Sequence, residues 1–331
     1  MGFARSLGMN ERAHITSLHP LGKSLEAVFT VPEKLCLTEG TLGKGGDSFL
    51  PCGVTTAIFD EISTLCMILA DRKFRPGVSI SLSCHMFDPV SPGESVTFKC
   101  RALKSGSRIG FGEASVYRED GKLAAKARHV KYLPMGHVWD FSMQPFLFPL
   151  SAKLARLQHD KMLKDPERTK DIPAGEHLLD MFKLEDLPQF EEREAAEDHL
   201  GDTDLVPVEE LEDSRSADAK MLVTKRQLNY MPGGFHGGAI AVAAEEMARR
   251  CPPSNLHLNK EIPGNPMIKF MELHYMSPIK GGARLSAASA GSRGKTVTRV
   301  GLSETCAGPG KDVMGGGVLC AEAVLEWGGR L

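Results

Sequence analysis

Two segments of the chain are built to one plan, and that repetition limits the folds open to it more than any other feature. "NYMPGGFHGGAIAVAAEEMARR" at 229–250 sets glycines and a histidine directly ahead of a strongly helical run, and "LPCGVTTAIFDEISTLCMILADR" at 50–72 repeats the layout with Pro-Cys-Gly. Each run carries an acid, Asp60 in the first and Glu245 in the second. Alternating β-rich stretches broken by Pro-Gly, Ser-Gly-Ser and Glu-Asp-Gly turn signals follow the first run, and the same order returns after the second. Local echoes include "MFDP" (86–89) against "YMSP" (275–278) and "GSR" at 106–108 against "GSR" at 291–293. One helix followed by an antiparallel meander is an α+β unit, so the pattern predicts a tandem duplication.

The expected units are 1–135 and 218–331. Residues 136–217 differ in kind, mixing "SAKLARLQHDKML" with the acidic "LEDLPQFEEREAAEDHLGDTD" and several prolines. A linker of about 80 residues with short helices is far beyond an ordinary loop, so it either wraps over the pair or reaches a partner in a larger assembly or further oligomer.

Composition narrows the function. A chain of 331 residues accommodates two cores. With 40 Lys+Arg against 42 Asp+Glu there is no basic field for nucleic acid. Eight cysteines lie scattered without a CxxC, and Cys66, Cys84 and Cys100 sit in apolar runs, which favours buried free thiols, a reducing compartment and no metal centre. The best apolar stretch is interrupted by Asp60 and Glu61, and the N-terminus lacks a secretory core, so the expectation is an intracellular protein, cytoplasmic or in the mitochondrial matrix, that does not span a membrane.

An opening strand, a turn ending in His-Gly-Gly and a long apolar helix with an acid nine positions after the His come first. Strands containing "PGVS" and a Tyr-Met-Ser-Pro turn then follow. Together these resemble the hotdog-fold acyl-CoA thioesterases of the phenylacetate-pathway type, once over 20–134 and once over 218–328. The resemblance implies an antiparallel sheet wrapping a long central helix in each unit, and two units pairing as an intramolecular pseudo-dimer with sites at their interface. It also implies a fatty or aryl acyl-CoA substrate, with coenzyme A entering only as part of that substrate and with no redox cofactor.

A helix start exposes unsatisfied N–H groups and a partial positive charge, which suits a thioester carbonyl that becomes an oxyanion on attack. In "HGGAIAVAAEE" the Gly237 N–H is therefore the candidate oxyanion donor, with Gly238 giving clearance and His236 orienting the loop or the carbonyl. Alternatively, the glycines only start the helix and His236 is a packed capping residue. The family places an Asn six residues ahead of the His; here Asn229 stands seven ahead.

Hydrolysis also needs a carboxylate to activate water. Nine residues along one helix place an acid ~13 Å down the axis on the opposite side, so the acid must come from the other repeat. One composite site then pairs His236, Gly237 and Gly238 with Asp60, with Ser63 and Thr64 one turn further on positioned to orient the acid or its water. Ser79 in "PGVS" occupies the place of a family serine that positions the water. The second pairs Pro51, Cys52 and Gly53 with Glu245; Pro51 replaces the His, Ile268 stands where the serine would, and Arg249 is placed to hold Glu245 in an ion pair. The losses fall on this one site, which reads as vestigial. Cys52 at a helix start is also a candidate nucleophile. Arg72, Lys73 and Arg75 are candidates for the coenzyme A phosphates. The alternative to an enzyme is a hotdog scaffold serving as a structural subunit of a larger assembly.

Overall fold

The computed structural model describes residues 2–19, 23–37, 48–134, 136, 141, 147, 149–150, 153–154, 156–157, 177–182, 185–186, 216–224, 227–228, 235–250, 267–279, 284–291, 297–305 and 318–328. Two short helices, α1 (Gly2–Ser6) and α2 (Met9–Arg12), precede strands β1 (Ala13–His19) and β2 (Ser24–Thr30). The long helix α3 (Cys52–Ala70) follows, then β3 (Val78–Met86), β4 (Ser95–Ser105), β5 (Ile109–Tyr117) and β6 (Leu123–Tyr132). The second half holds β7 (Glu185–Asp186), β8 (Ser216–Leu222), helix α4 (Gly237–Arg250), β9 (Met267–Tyr275), β10 (Arg284–Gly291), β11 (Val297–Thr305) and β12 (Val318–Gly328).

The strands form one sheet of 12 in the order β1-β2-β4-β5-β6-β3-β9-β12-β11-β10-β8-β7. That order is a palindrome: β3 and β9 meet at the centre, and each strand outward on one side has its counterpart on the other. The central pairing is antiparallel, with Ser81 opposite His274, Ser83 opposite Glu272 and His85 opposite Phe270. Taking β3 onto β9 position for position maps the first of these pairs onto the last and the Ser83–Glu272 pair onto itself. A pseudo-twofold axis therefore passes between Ser83 and Glu272, and one chain makes the self-complementary contact that two subunits make in a symmetric dimer.

Strand burial alternates with period two, as in β2 and β4, which turns Leu25, Ala27, Phe29, Val96, Phe98 and Cys100 inward against α3. Helix α3 is apolar nearly all round and buried along its first nine residues. It is long and apolar enough to cross a membrane by length and composition, but it is mostly enclosed by the sheet, as a core helix is. Its two buried threonines return their hydroxyls to its own backbone, Thr55 to the Pro51 carbonyl at 3.0 Å and Thr56 to that of Cys52 at 2.7 Å, so neither is left unsatisfied. Helix α4 is rich in alanine, which lets it lie close to α3.

Pieces of the 136–217 stretch join this core. β8 begins at Ser216, β7 pairs with it, and Leu178 and Phe182 are buried. Phe182 meets Phe3 of α1 edge to face at 6.0 Å between ring centres. The six described cysteines are all buried free thiols.

Candidate functional site

Each central helix starts against the acid of the other. The His236 carbonyl accepts from Ile240 N–H at 3.0 Å, so His236 caps α4, and Gly237 and Gly238 are its first two residues. The Gly238 N–H donates to Asp60 Oδ2 at 2.9 Å and also lies 2.9 Å from His236 Nδ1. Across the pseudo-axis, Pro51 caps α3 and the Gly53 N–H donates to Glu245 Oε2. Only glycine fits at these close crossings. A Cβ on Gly238 would stand 2.7 Å from Ala57 Cα, and one on Gly53 would stand 2.8 Å from the Ala241 carbonyl. No described residue accepts from the Gly237 N–H, and Gly237 lies against the same acid: a Cβ on it would stand 2.9 Å from Asp60 Oδ2, 3.3 Å from Tyr275 Oη and 3.4 Å from Ser79 Oγ.

Asp60 is 4% exposed and surrounded by polar groups. Its Oδ1 is 3.2 Å from Ser79 Oγ and 3.4 Å from His129 Nε2, and its Oδ2 is 3.4 Å from His236 Nδ1. Burial disfavours the charge most strongly, but His236, Lys131, His129 and the Gly238 N–H outweigh it and hold the carboxyl at about 2. Burial and the neighbouring Lys131 push His129 down to about 3, so it is neutral at neutral pH and the cationic support then comes from His236 and Lys131. Burial lowers Lys131, opposed by Asp60 and Glu61, and its Nζ donates to Thr64 Oγ1 at 2.8 Å. Burial also opposes the charge on His236, yet Glu61 and Asp60 raise it overall; its Nε2 is 2.5 Å from Glu61 Oε1. The ring of Phe3 packs on that of His236 with centres 5.3 Å apart, so α1 covers this side of the site.

Counting protons fixes the histidine tautomer. Ser63 Oγ is 2.5 Å from the Phe59 carbonyl, which can only accept, and 2.7 Å from His129 Nδ1. Ser63 therefore donates to the carbonyl and His129 Nδ1–H donates to Ser63, leaving Nε2 as an acceptor. Ser79, 2.9 Å from that Nε2, has one proton for two acceptors, the imidazole and Asp60. Whichever acceptor lacks it is open to a proton from water or substrate.

Of the residues expected from sequence, Asp60, Ser79, His236, Gly237 and Gly238 come together. Ser63 and Thr64 make no hydrogen bond to the Asp60 carboxylate: Ser63 meets the Phe59 and Asp60 carbonyls and His129, and Thr64 accepts from Lys131. Asn229 lies outside the described residues. Arg75 is not available to phosphate: it is buried, bonded through two nitrogens to Asp71 and to the Gly106 and Ser107 carbonyls, while Arg72 and Lys73 are exposed. Cys52 is fully enclosed and its thiol is raised well above its ordinary value by a hydrogen bond with Cys84 and by burial, which suppresses the thiolate a nucleophile needs.

His129, Lys131, Tyr275 and Glu61 were not singled out from sequence. A signal for two of them was present: in "LAAKARHVKY", His129 and Lys131 stand in phase with Ala125 and Ala127, at positions that period-two alternation reserves for the core. Tyr275 donates its hydroxyl to the Gly237 carbonyl at 3.0 Å. Burial and the Asp60 charge raise its own ionisation well above the usual phenol value.

The pseudo-axis shows what the second place holds instead. Val78 pairs with Tyr132 and Ser79 with Lys131, an irregularity follows, and Leu82 pairs with His129. In β9 and β12, Met267 pairs with Gly328, Ile268 with Trp327, the same irregularity follows, and Met271 pairs with Leu325. Ser79, Lys131 and His129 thus correspond to Ile268, Trp327 and Leu325, and Tyr275 to Met86. On the helices His236, Gly237 and Ser63 correspond to Pro51, Cys52 and Ala248. Only the acid and the second glycine survive, with Glu245 held by Arg249 at 2.5 Å. The two places share a skeleton, and in one of them Ile268, Trp327, Leu325 and Met86 stand at the positions of the serine, lysine, histidine and tyrosine.

The profile of the thioesterase superfamily matches residues 52–125, the span of α3 through the start of β6. Comparison with curated proteins finds no match. Among solved structures, an acyl-ACP thioesterase from Bacteroides thetaiotaomicron VPI-5482 is 12% identical and covers 94% of this chain and 100% of its own, with a TM-score of 0.53. The 12:0-ACP thioesterase from Umbellularia californica is 11% identical over 95% of this chain and 100% of its own, with a TM-score of 0.52. Zebra fish thioesterase superfamily member 2 is 27% identical over 40% of this chain and 87% of its own, with a TM-score of 0.34. The two full-length likenesses, with the antiparallel sheet and central helices above, establish a hotdog fold, and residues 52–125 within it match the model of the thioesterase superfamily.

Proposed function

We propose that the protein hydrolyses acyl thioesters at a single composite site built from Asp60 of the first unit and the His236–Gly238 helix start of the second. The observation that carries this reading is the asymmetry across the pseudo-axis: one helix start faces an acid ringed by Ser79, His129 and His236, and the other faces an acid ion-paired to Arg249, with Ile268, Leu325 and Pro51 at the corresponding positions. The thioester carbonyl docks on the Gly237 N–H at the positive end of α4. Asp60, ionised at neutral pH, takes a proton from a water held beside Ser79, and the resulting hydroxide adds to the carbonyl carbon. Collapse of the tetrahedral intermediate breaks the C–S bond; the thiol leaves with a proton and the acid is released. His236 and Lys131 keep Asp60 anionic between turnovers.

The acyl carrier in this proposal is coenzyme A, with no metal or redox group required, in the reducing interior of a cell where buried free thiols persist. The 136–217 stretch is the segment we assign to a further protein contact. A panel of acyl-CoAs and acyl carrier protein thioesters, with wild type beside Asp60→Asn, tests the reading. Activity that falls by roughly 10²–10⁴ in the variant supports it. Wild-type protein inert on every thioester would sink it and leave a hotdog scaffold in its place.

A further inference from the structure

The Gly237 carbonyl and the Gly238 N–H belong to one peptide group, and both of its ends are held. Tyr275 donates to the oxygen at 3.0 Å, and the N–H donates to Asp60 Oδ2 at 2.9 Å. We propose that Tyr275 is a positioning residue for Asp60, acting through the Gly237–Gly238 peptide rather than by touching substrate. The inference rests on the thioester-hydrolase reading for its kinetic consequence, but its structural content stands on the peptide alone.

Withdrawing electron density at an amide oxygen makes the N–H of the same amide a stronger donor, because the two share one delocalised system. A hydroxyl on the Gly237 oxygen therefore strengthens the bond that anchors Asp60. It also fixes the plane of a peptide that glycine on both sides would otherwise leave free to rotate. The position is occupied differently in the two halves: the counterpart of Tyr275 is Met86, a thioether with no proton to donate. The hydroxyl is thus present only where the polar set is present. Tyr275 is itself hard to ionise, so it remains a donor across the pH range in which Asp60 is charged. The other charged and titratable groups facing Asp60 are His236 at the start of α4, His129 and Lys131 from β6, and Glu61 from its own helix. None of these contacts the Gly237 oxygen.

The test is Tyr275→Phe in the full chain, with Tyr275→Met, the counterpart residue, as a second variant should the first fold poorly. In substrate-free protein the Gly238 amide resonance, assigned by its response to Asp60→Asn, is expected to move upfield in both ¹H and ¹⁵N. In kinetics kcat is expected to fall about tenfold with KM within twofold, and the acid limb of the pH profile to move upward as the anion loses support. An unmoved Gly238 resonance overturns the proposal, as does a raised KM with unchanged kcat, which would make Tyr275 a substrate contact. Wild-type protein without hydrolysis defeats the functional reading alone, since the amide resonance still reports on the peptide.

Discussion

Asp60 and Gly238 stand 178 residues apart in the chain, yet the carboxylate of one accepts the amide proton of the other at 2.9 Å. Glu245 and Gly53, 192 residues apart, repeat the contact across the pseudo-axis. In each case the second residue of one central helix meets the acid of the other, so one of the orphan N–H groups at each helix start is satisfied by its neighbour. The pair of contacts links the two units alongside the β3–β9 strand pairing. Only one of them is surrounded by the groups that chemistry would use.

The neighbouring glycines separate fold from chemistry. In Gly238→Ala the new methyl meets backbone and Cβ of Ala57 at 2.7 and 2.9 Å, atoms that cannot swing aside. The helices must part, and the loss is about 1–3 kcal/mol, visible as a lower thermal midpoint. In Gly237→Ala the methyl meets the ends of Asp60, Tyr275 and Ser79, which can rotate away. Stability is then expected to hold within about 1 kcal/mol while thioester hydrolysis falls by tenfold or more. Equal thermal losses in the two variants would refute this division.

His129→Leu installs the residue that the counterpart position, Leu325, already carries. The imidazole is neutral and fully enclosed, so replacing it with a hydrocarbon of similar size costs little and leaves the unfolding midpoint nearly unchanged. Ser79 then has only Asp60 as acceptor, and the route for a proton beyond it is gone. The expected result is a kcat about tenfold lower with intact folding, read by circular dichroism beside acyl-CoA turnover. A variant as active as wild type would remove His129 from the machinery.

Acid should weaken the fold partly through Asp60. Its carboxyl is held at about 2 in the fold against 3.8 unperturbed, so the folded state binds fewer protons than the unfolded chain between those values. The contribution is complete above 3.8 and is lost as pH falls through about 2. At 1.36 kcal/mol per unit it amounts to about 2 kcal/mol. Urea midpoints for wild type and Asp60→Asn are expected to converge as pH drops from 5 toward 2.5; a difference constant with pH would contradict the assignment.

The second acid is structural. Glu245 is 3% exposed and its partner Arg249 is 15% exposed, beside the ring of Trp327 at 5.8 Å. Arg249→Ala leaves a buried carboxylate unpaired and is expected to cost about 3–5 kcal/mol, whereas Glu245→Gln keeps an oxygen for the Gly53 N–H and costs less. Hydrolysis per folded molecule should be unchanged in Glu245→Gln. A loss of activity there comparable to that of Asp60→Asn would mean the second place also works.

The sequence by itself determined the repeated helix–meander plan, the two helix starts and the acids nine residues beyond the caps, because these are local features of spacing and residue type. It also showed that one helix cannot bring its own start and its own acid together. What only the tertiary structure decided is which groups meet across the pseudo-axis. Ser63 and Thr64 were legible as neighbours of Asp60 on one helix, but helical spacing says nothing of the strand facing them, and there they bond to His129 and Lys131. Tyr275, the last residue of β9, reaches the Gly237 peptide because the end of that strand comes to the start of α4. The exchange of Ser79 for Ile268 was legible in the motif, but that of Lys131, His129 and Tyr275 for Trp327, Leu325 and Met86 becomes visible only once matched irregularities in two strand pairs set the register. Long-range pairing, with both helices buried against one twelve-stranded sheet, set Ser79, His129 and His236 around one of two equivalent acids and left the other to an ion pair with Arg249.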